Sequence, residues 1–274
     1  MINFLFWIFF LGIGIASLQD LKRREVDNWL NLLLLVSGLG FIFLNAIFNW
    51  DYSGIVFACS SLFVLFILAN LFYYGRVFAG GDAKLLFAMA ALFVAGSFNG
   101  TMINIAIFTV LLMFSGSLYG LFYGGYLFFR NFKANKKETK RNMNNYFYLV
   151  LFSGIFLCLI GILFNILLFF GIFILLGDFL VVVAKAIEKS MIKEKNPEDL
   201  REGDWLVKSV SVKGRSIKAS WEGLSLEDMA LLKKNKKRVF IKDGIPFVPA
   251  FFIALIAYGF KERILVWVFR MIGL

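Results

Sequence analysis

Residues Asn3–Phe48 read NFLFWIFFLGIGIASLQDLKRREVDNWLNLLLLVSGLGFIFLNAIF. Two apolar runs, Asn3–Gln19 and Trp29–Phe48, flank a polar stretch, Asp20–Asn28, that carries Lys22, Arg23 and Arg24. Each run approaches or reaches the roughly 20 residues with which an α-helix crosses the hydrocarbon core of a bilayer. The stretch reads as two membrane helices joined by a short basic loop, and the rest of the chain extends the same pattern.

Ser53–Tyr74 forms a third apolar run, Ala83–Ser97 a short fourth and Ile105–Phe129 a fifth. Tyr146–Ile187 is apolar over about 40 residues. One helix of that length would measure about 60 Å, twice the hydrocarbon core. It is expected to fold back near Asn165 as a hairpin. A last run opens at Ile245-Pro246-Phe247-Val248-Pro249 and reaches Phe260, followed by an interfacial tail. Over the 274 residues, 60% are hydrophobic and 17% charged, against about 45–50% and 25% in an average soluble domain. A soluble enzyme is excluded. The expected fold is an all-α polytopic membrane protein with about eight transmembrane helices, within a range of six to eight, and a small cytosolic α+β domain.

The net charge of +11 points to the membrane and away from nucleic acid, because the basic residues alternate from loop to loop. Asp20–Asn28 and Arg130–Asn145 are basic, and Arg76 lies between runs three and four. The turns at Asn49–Tyr52 and Phe98–Asn104 contain no Lys or Arg. Cytoplasmic loops collect Lys and Arg, so the N-terminus is expected outside and the loops after runs one, three and five in the cytosol.

Five segments are expected: a helix bundle over 1–129, a basic cytosolic loop over 130–145, an apolar hairpin over 146–187, a small cytosolic α+β domain over 188–244, and a last transmembrane helix with its tail over 245–274. Within the polar segment, Trp205, Val207, Val210 and Val212 partly alternate ahead of Lys213-Gly214, with Ile217, Ala219 and Trp221 beyond it, a hairpin pattern. Ser225 begins a short helix, and Val239–Ile241 reads as a last strand.

The chain has no His. That removes Ser-His-Asp triads, Cys-His pairs and His-ligated metal sites. Cys59 and Cys158 lie in apolar runs and form no CxxC motif. Acid–base chemistry is left to Asp, Glu, Lys and Tyr. Ionisable residues at membrane spans are costly and point to function. Asp20 ends the first run and Asp82 opens the fourth, and the expected topology puts both at the cytosolic boundary. Gly80 and Gly81 precede Asp82; glycines admit a closely approaching chain. Two carboxylates that share a proton can activate water. Each aspartate also has a plain structural reading: Asp82 as a helix cap, Asp20 as a partner of Lys22, Arg23 or Arg24. Lys84 reads as a cytosolic anchor with a possible supporting role, Glu25 and Asp27 as a solvated face, and Asp178 as an interhelical hydrogen bond.

Asp20-Leu21-Lys22-Arg23-Arg24-Glu25-Val26-Asp27-Asn28, with Gly80-Gly81-Asp82-Ala83-Lys84, resembles the type IV prepilin peptidases, and most closely their archaeal preflagellin and prepilin branch, which are GxGD-type membrane aspartic proteases. The resemblance implies that Asp20 and Asp82 are the catalytic pair, that Gly80 and Gly81 shape the substrate loop, and that no metal or other cofactor is used. It implies pilin-like or flagellin precursors as partners, cleaved at the cytosolic face of the cell membrane. Ala79 stands where the GxGD pattern has its first Gly, Asp27 where many members have Pro, and the cysteine quartet of many bacterial members is missing. Two other function classes fit the composition. One is a proton- or cation-coupled transporter built on intramembrane Asp residues, and the other is a membrane scaffold.

Overall fold

The computed structural model describes residues 2–162, 165–220 and 223–272. Helices α1 (Ile2–Arg23), α2 (Asn28–Asn49) and α3 (Ser53–Tyr74) follow one another through short connections. Helix α4 (Gly80–Ala88) is followed by a 3-10 turn, Ala90–Phe93, and α5 runs from Phe98 to Arg130. Helices α6 (Phe132–Asn142), α7 (Asn145–Gly161) and α8 (Asn165–Ser190) come next. The strands β1 (Ile192–Lys195), β2 (Trp205–Leu206), β3 (Val210–Val212) and β4 (Arg215–Ile217) then lead to α9 (Leu226–Lys234) and β5 (Val239–Lys242). Helices α10 (Val248–Gly259) and α11 (Lys261–Ile272) end the chain.

Among the described residues, five helices are long and apolar enough to cross a membrane: α1, α2, α3, α5 and α8. A sixth would come from α6 and α7, which bend by 79° at their junction. The expected count of about eight spans is therefore not supported, and two short helices account for the difference. Helix α4 has nine residues and α10 has 12. At 1.5 Å per residue they measure about 14 and 18 Å, roughly half the hydrocarbon core. The basic segment 130–145 is mostly helical, as α6, and the expected turn at 98–104 is the start of α5.

The chain divides into two compact units, residues 1–121 with 245–274, and residues 122–244. In the first unit, small residues bring helices together. A Cβ on Gly38 of α2 would lie 2.6 Å from Ala91 and 3.1 Å from the ring of Phe9. The break after α4 is fully enclosed, with Ala90, Ala91, Leu92 and Phe93 all buried. Its freed backbone groups find partners on neighbouring helices. Ser61 of α3 donates to the Ala90 carbonyl at 2.7 Å, Asn104 of α5 donates to the Phe93 carbonyl at 3.1 Å, and Thr101 accepts the Ala95 N–H at 3.1 Å. Irregular backbone is tolerated at membrane depth only when protein groups satisfy it in this way.

The side chain of Asn31, on the buried face of α2, is 7% exposed, and neither its Oδ1 nor its Nδ2 has a partner among the described residues. An unpaired buried polar group costs about 1–3 kcal/mol. Asn31→Leu, of similar volume, is expected to raise the thermal midpoint of the detergent-solubilised protein. An unchanged or lower midpoint would mean that Asn31 contributes through a contact formed elsewhere in its cycle.

In the second unit, α7 and α8 pack antiparallel across glycines. A Cβ on Gly154 would meet Leu175 at 2.7 Å, and one on Gly171 would meet the Cys158 sulfur at 2.6 Å. The polar segment is a three-stranded antiparallel sheet in the order β1-β5-β2, with a separate β3–β4 hairpin. Lys242 faces both Ile192 and Trp205 across β5. The β3–β4 turn at Lys213-Gly214 has positive φ at both positions, 46° and 84°, as a tight two-residue hairpin turn requires. Trp221, the far end of the expected hairpin, lies outside the described residues. Ser225 caps α9, accepting the Asp228 N–H at 3.2 Å, while Asp228 accepts from Ser225 in return.

Candidate active site

Asp20 lies in the last turn of α1, which continues to Arg23, past the expected end at Gln19. The residue is 7% exposed. Its Oδ2 accepts the backbone N–H of Val248, the first residue of α10, at 2.9 Å. One turn earlier, the buried Ser17 hydroxyl donates to the Ile13 carbonyl at 2.8 Å and to the Val248 carbonyl at 3.3 Å. The C-terminal turn of α1 and the N-terminal turn of α10 are thus joined at the carboxylate. Pro249 in that first turn suits a helix start, where its missing N–H is not needed.

Asp82 is the third residue of α4 and is 8% exposed. Its Oδ2 accepts the Ala79 N–H at 3.1 Å. The capping role read for Asp82 is therefore present, but it occupies only one carboxylate oxygen. The two aspartates come from different helices, are both buried in the first compact unit, and lie within electrostatic reach of each other. Of the basic residues beside Asp20, Arg23 is engaged with Asp27 at 2.7 Å, and Arg24 acts on Asp20 electrostatically.

Gly80 and Gly81 are the first two residues of α4. Gly80 is exposed and Gly81 half-buried. A Cβ on Gly81 would meet nothing within 4 Å, and one on Gly80 would only touch the Tyr73 ring edge at 3.7 Å. Neither has the positive φ that requires glycine. The surroundings of these two residues within the protein give no reason for glycine there.

Lys84 reaches Asn28 of α2, donating to its Oδ1 at 3.0 Å, and among the described residues it contacts neither carboxylate. Asp27, expected on a solvated face, is partly exposed and is also the hub of the α1–α2 loop. Its Oδ2 accepts from Arg23 at 2.7 Å, from Gln19 at 3.0 Å and from the Trp29 indole at 3.2 Å. The Arg23 hydrogen bond, chiefly, holds this carboxyl below its ordinary range. Asp178 does not make the expected interhelical hydrogen bond: its Oδ2 is buried in α8 with no partner among the described residues. Nor do three acidic or Cys side chains converge anywhere among the described residues to hold a metal ion.

The sequence reading did not anticipate that Val248 contacts both Ser17 and Asp20 here, or that Phe247 packs against Phe78. Phe247 packs between Phe78 and Phe251, with ring centroids 5.5 and 6.0 Å away. Phe78 itself is 5.6 Å from Phe251 and precedes the Ala79–Asp82 step. The pair of prolines flanking Phe247-Val248 was the available signal. It marked the start of a helix but not what that helix end touches.

The family model of the type IV leader peptidases matches residues 7–125, the stretch that carries both aspartates. No curated protein and no solved structure matches the chain.

Proposed function

Because the chain belongs, through residues 7–125, to the type IV leader peptidase family, we propose that it is an aspartic endopeptidase that removes a short basic leader from pilin-like or flagellin precursors. One observation carries the assignment. Two buried carboxylates, at the end of α1 and the start of α4, interact across one core beside an open glycine step. Both carboxylates are held by backbone N–H groups, Asp20 by Val248 and Asp82 by Ala79, and nothing among the described residues around Gly81 needs glycine for the fold.

In the proposed reaction, one carboxylate takes a proton from water as the oxygen attacks the scissile carbonyl. The other, protonated, donates a hydrogen bond to the carbonyl oxygen. Collapse of the tetrahedral adduct breaks the C–N bond, and the proton passes to the departing amine. The substrate backbone lies extended over Gly80 and Gly81, where no side chain stands in its way. The chain is a multi-pass membrane protein. By its loop charges the N-terminus lies outside and the two aspartates face the cytosol, where a basic leader stays while the apolar stem enters the bilayer. The substrate branch follows the archaeal resemblance of the two aspartate motifs. A transporter reading needs ionisable groups paired along a path at mid-membrane, and Asp178 has no such partner among the described residues.

The test is co-expression with a tagged pilin-like precursor and detection of leader loss as a size shift on a gel, confirmed by mass spectrometry of the new N-terminus. Cleavage at the leader–stem junction supports the reading. No cleavage across flagellin-like and pilin-like precursors would remove it.

A further inference from the structure

We propose that Gly116, on α5, is a positioning residue for Asp20, acting through the Phe247 ring and the Val248 N–H. The proposal deepens the peptidase reading and rests on it for its kinetic arm only. Gly116 is buried in the middle of α5, where glycine weakens a helix by roughly 1 kcal/mol relative to Ala. It does not have positive φ, so backbone conformation does not explain it. Its packing does. A Cβ there would lie 2.6 Å from the Phe247 Cζ and 2.9 Å from its Cε2.

The ring cannot easily move aside. It is held between Phe78 and Phe251, and both of those are at least 96% buried. The backbone following this ring carries the Val248 N–H that donates to Asp20 Oδ2. Ser17 clasps the Val248 carbonyl on the other side of the same residue. A displaced Phe247 therefore shifts the first turn of α10, and with it the hydrogen bond that orients one carboxylate of the pair. Gly120 lies one turn further along α5 and serves as the control, since a Cβ there would meet nothing within 4 Å.

The experiment uses the full chain in detergent or nanodiscs, with aspartate labelled by ¹³C at its side-chain carboxyl. The infrared band of Asp20 is assigned by difference against Asp20→Asn. Gly116→Ala is expected to move this band, and Gly116→Ala/Phe247→Leu, which removes the obstructing ring atoms, to return it. Gly120→Ala is expected to leave it in place. Should Gly116→Ala fail to fold, Phe247→Ala, which removes the ring without adding bulk, moves the band in its stead. On a cleaved precursor, Gly116→Ala lowers kcat by about 10- to 100-fold, as a small misplacement of a reacting group does, with KM within about twofold. A band that stays put in folded Gly116→Ala or in Phe247→Ala overturns the positioning role, whatever the kinetics. A band that moves and is rescued, in a protein that cleaves no precursor, upholds the positioning role and overturns the peptidase reading instead.

Discussion

Asp20→Asn and Asp82→Asn are each expected to slow leader removal by roughly 10³-fold or more, while the protein still inserts and folds. Loss of a group that moves a proton in the transition state costs about 10²–10⁴-fold, and in the proposed reaction the two groups work as a unit. The substitution spares the structure for a specific reason. An Asn at position 20 still offers an oxygen to the Val248 N–H, and an Asn at position 82 still offers one to the Ala79 N–H. The α1–α10 joint and the start of α4 are thereby kept. Removing a buried carboxyl also removes its desolvation cost and its repulsion from its partner, so the thermal midpoint of each variant is expected to equal or exceed that of the wild type. Activity and stability should move in opposite directions, as they do where a strained site serves chemistry. Loss of cleavage with a lowered midpoint and poor insertion would assign the aspartates to folding. Full cleavage by either variant would remove the pair from the reaction.

The parts of this fold legible in the sequence are those set by local pattern. Asn28–Asn49 and Ser53–Tyr74 are predominantly apolar helices of 22 residues with no charged side chain, and composition alone makes them candidate membrane helices. Lys213-Gly214 and Ser225 mark a turn and a cap by chemistry that acts within four residues. The α4 region was misread because its composition matches a span. What shortens it is the chain break at Met89–Phe93, stabilised by Ser61 and Asn104 from other helices, and no local signal announces those partners. Strand β1, Ile-Lys-Glu-Lys, was invisible for the opposite reason: it is a charged edge strand with two exposed residues at its centre, and edge strands are commonly polar. At the candidate site, both aspartates stand out in the sequence because acidic residues bordering apolar runs are few there. Val248 does not, since its contact with Asp20 joins residues 228 apart. Gly116 was hidden as one of 24 glycines, distinguished only by the ring it faces.

The second large effect is expected at Gly81, and it separates the substrate from the fold. Helix interiors favour Ala over Gly by about 0.5–1 kcal/mol, and a Cβ at Gly81 would have no neighbour within 4 Å. With no positive φ to preserve, Gly81→Ala should leave the folded protein as stable as the wild type or slightly more so. Gly81→Leu should be accommodated as well, because its side chain can extend into the same open space. If a precursor backbone lies against this step in the active complex, both side chains occupy its place. The expected loss in kcat/KM is then about 10-fold for Ala and 100-fold or more for Leu, the scale set by displacing a bound group by an ångström or so. Most of the loss should appear in KM, since the substrate is excluded while the carboxylates, one residue away on Asp82 and across the core on Asp20, keep their backbone partners. The Asn variants have the opposite signature, with precursor still bound and no turnover, so binding of an uncleaved precursor to Asp82→Asn and to Asp82→Asn/Gly81→Leu isolates the effect. Strong capture by the first and none by the second would place the substrate over the glycine step. Equal capture by both, with wild-type cleavage by Gly81→Leu, would show that the precursor reaches the aspartates from another side, and the open space above Gly81 would then have no part in recognition.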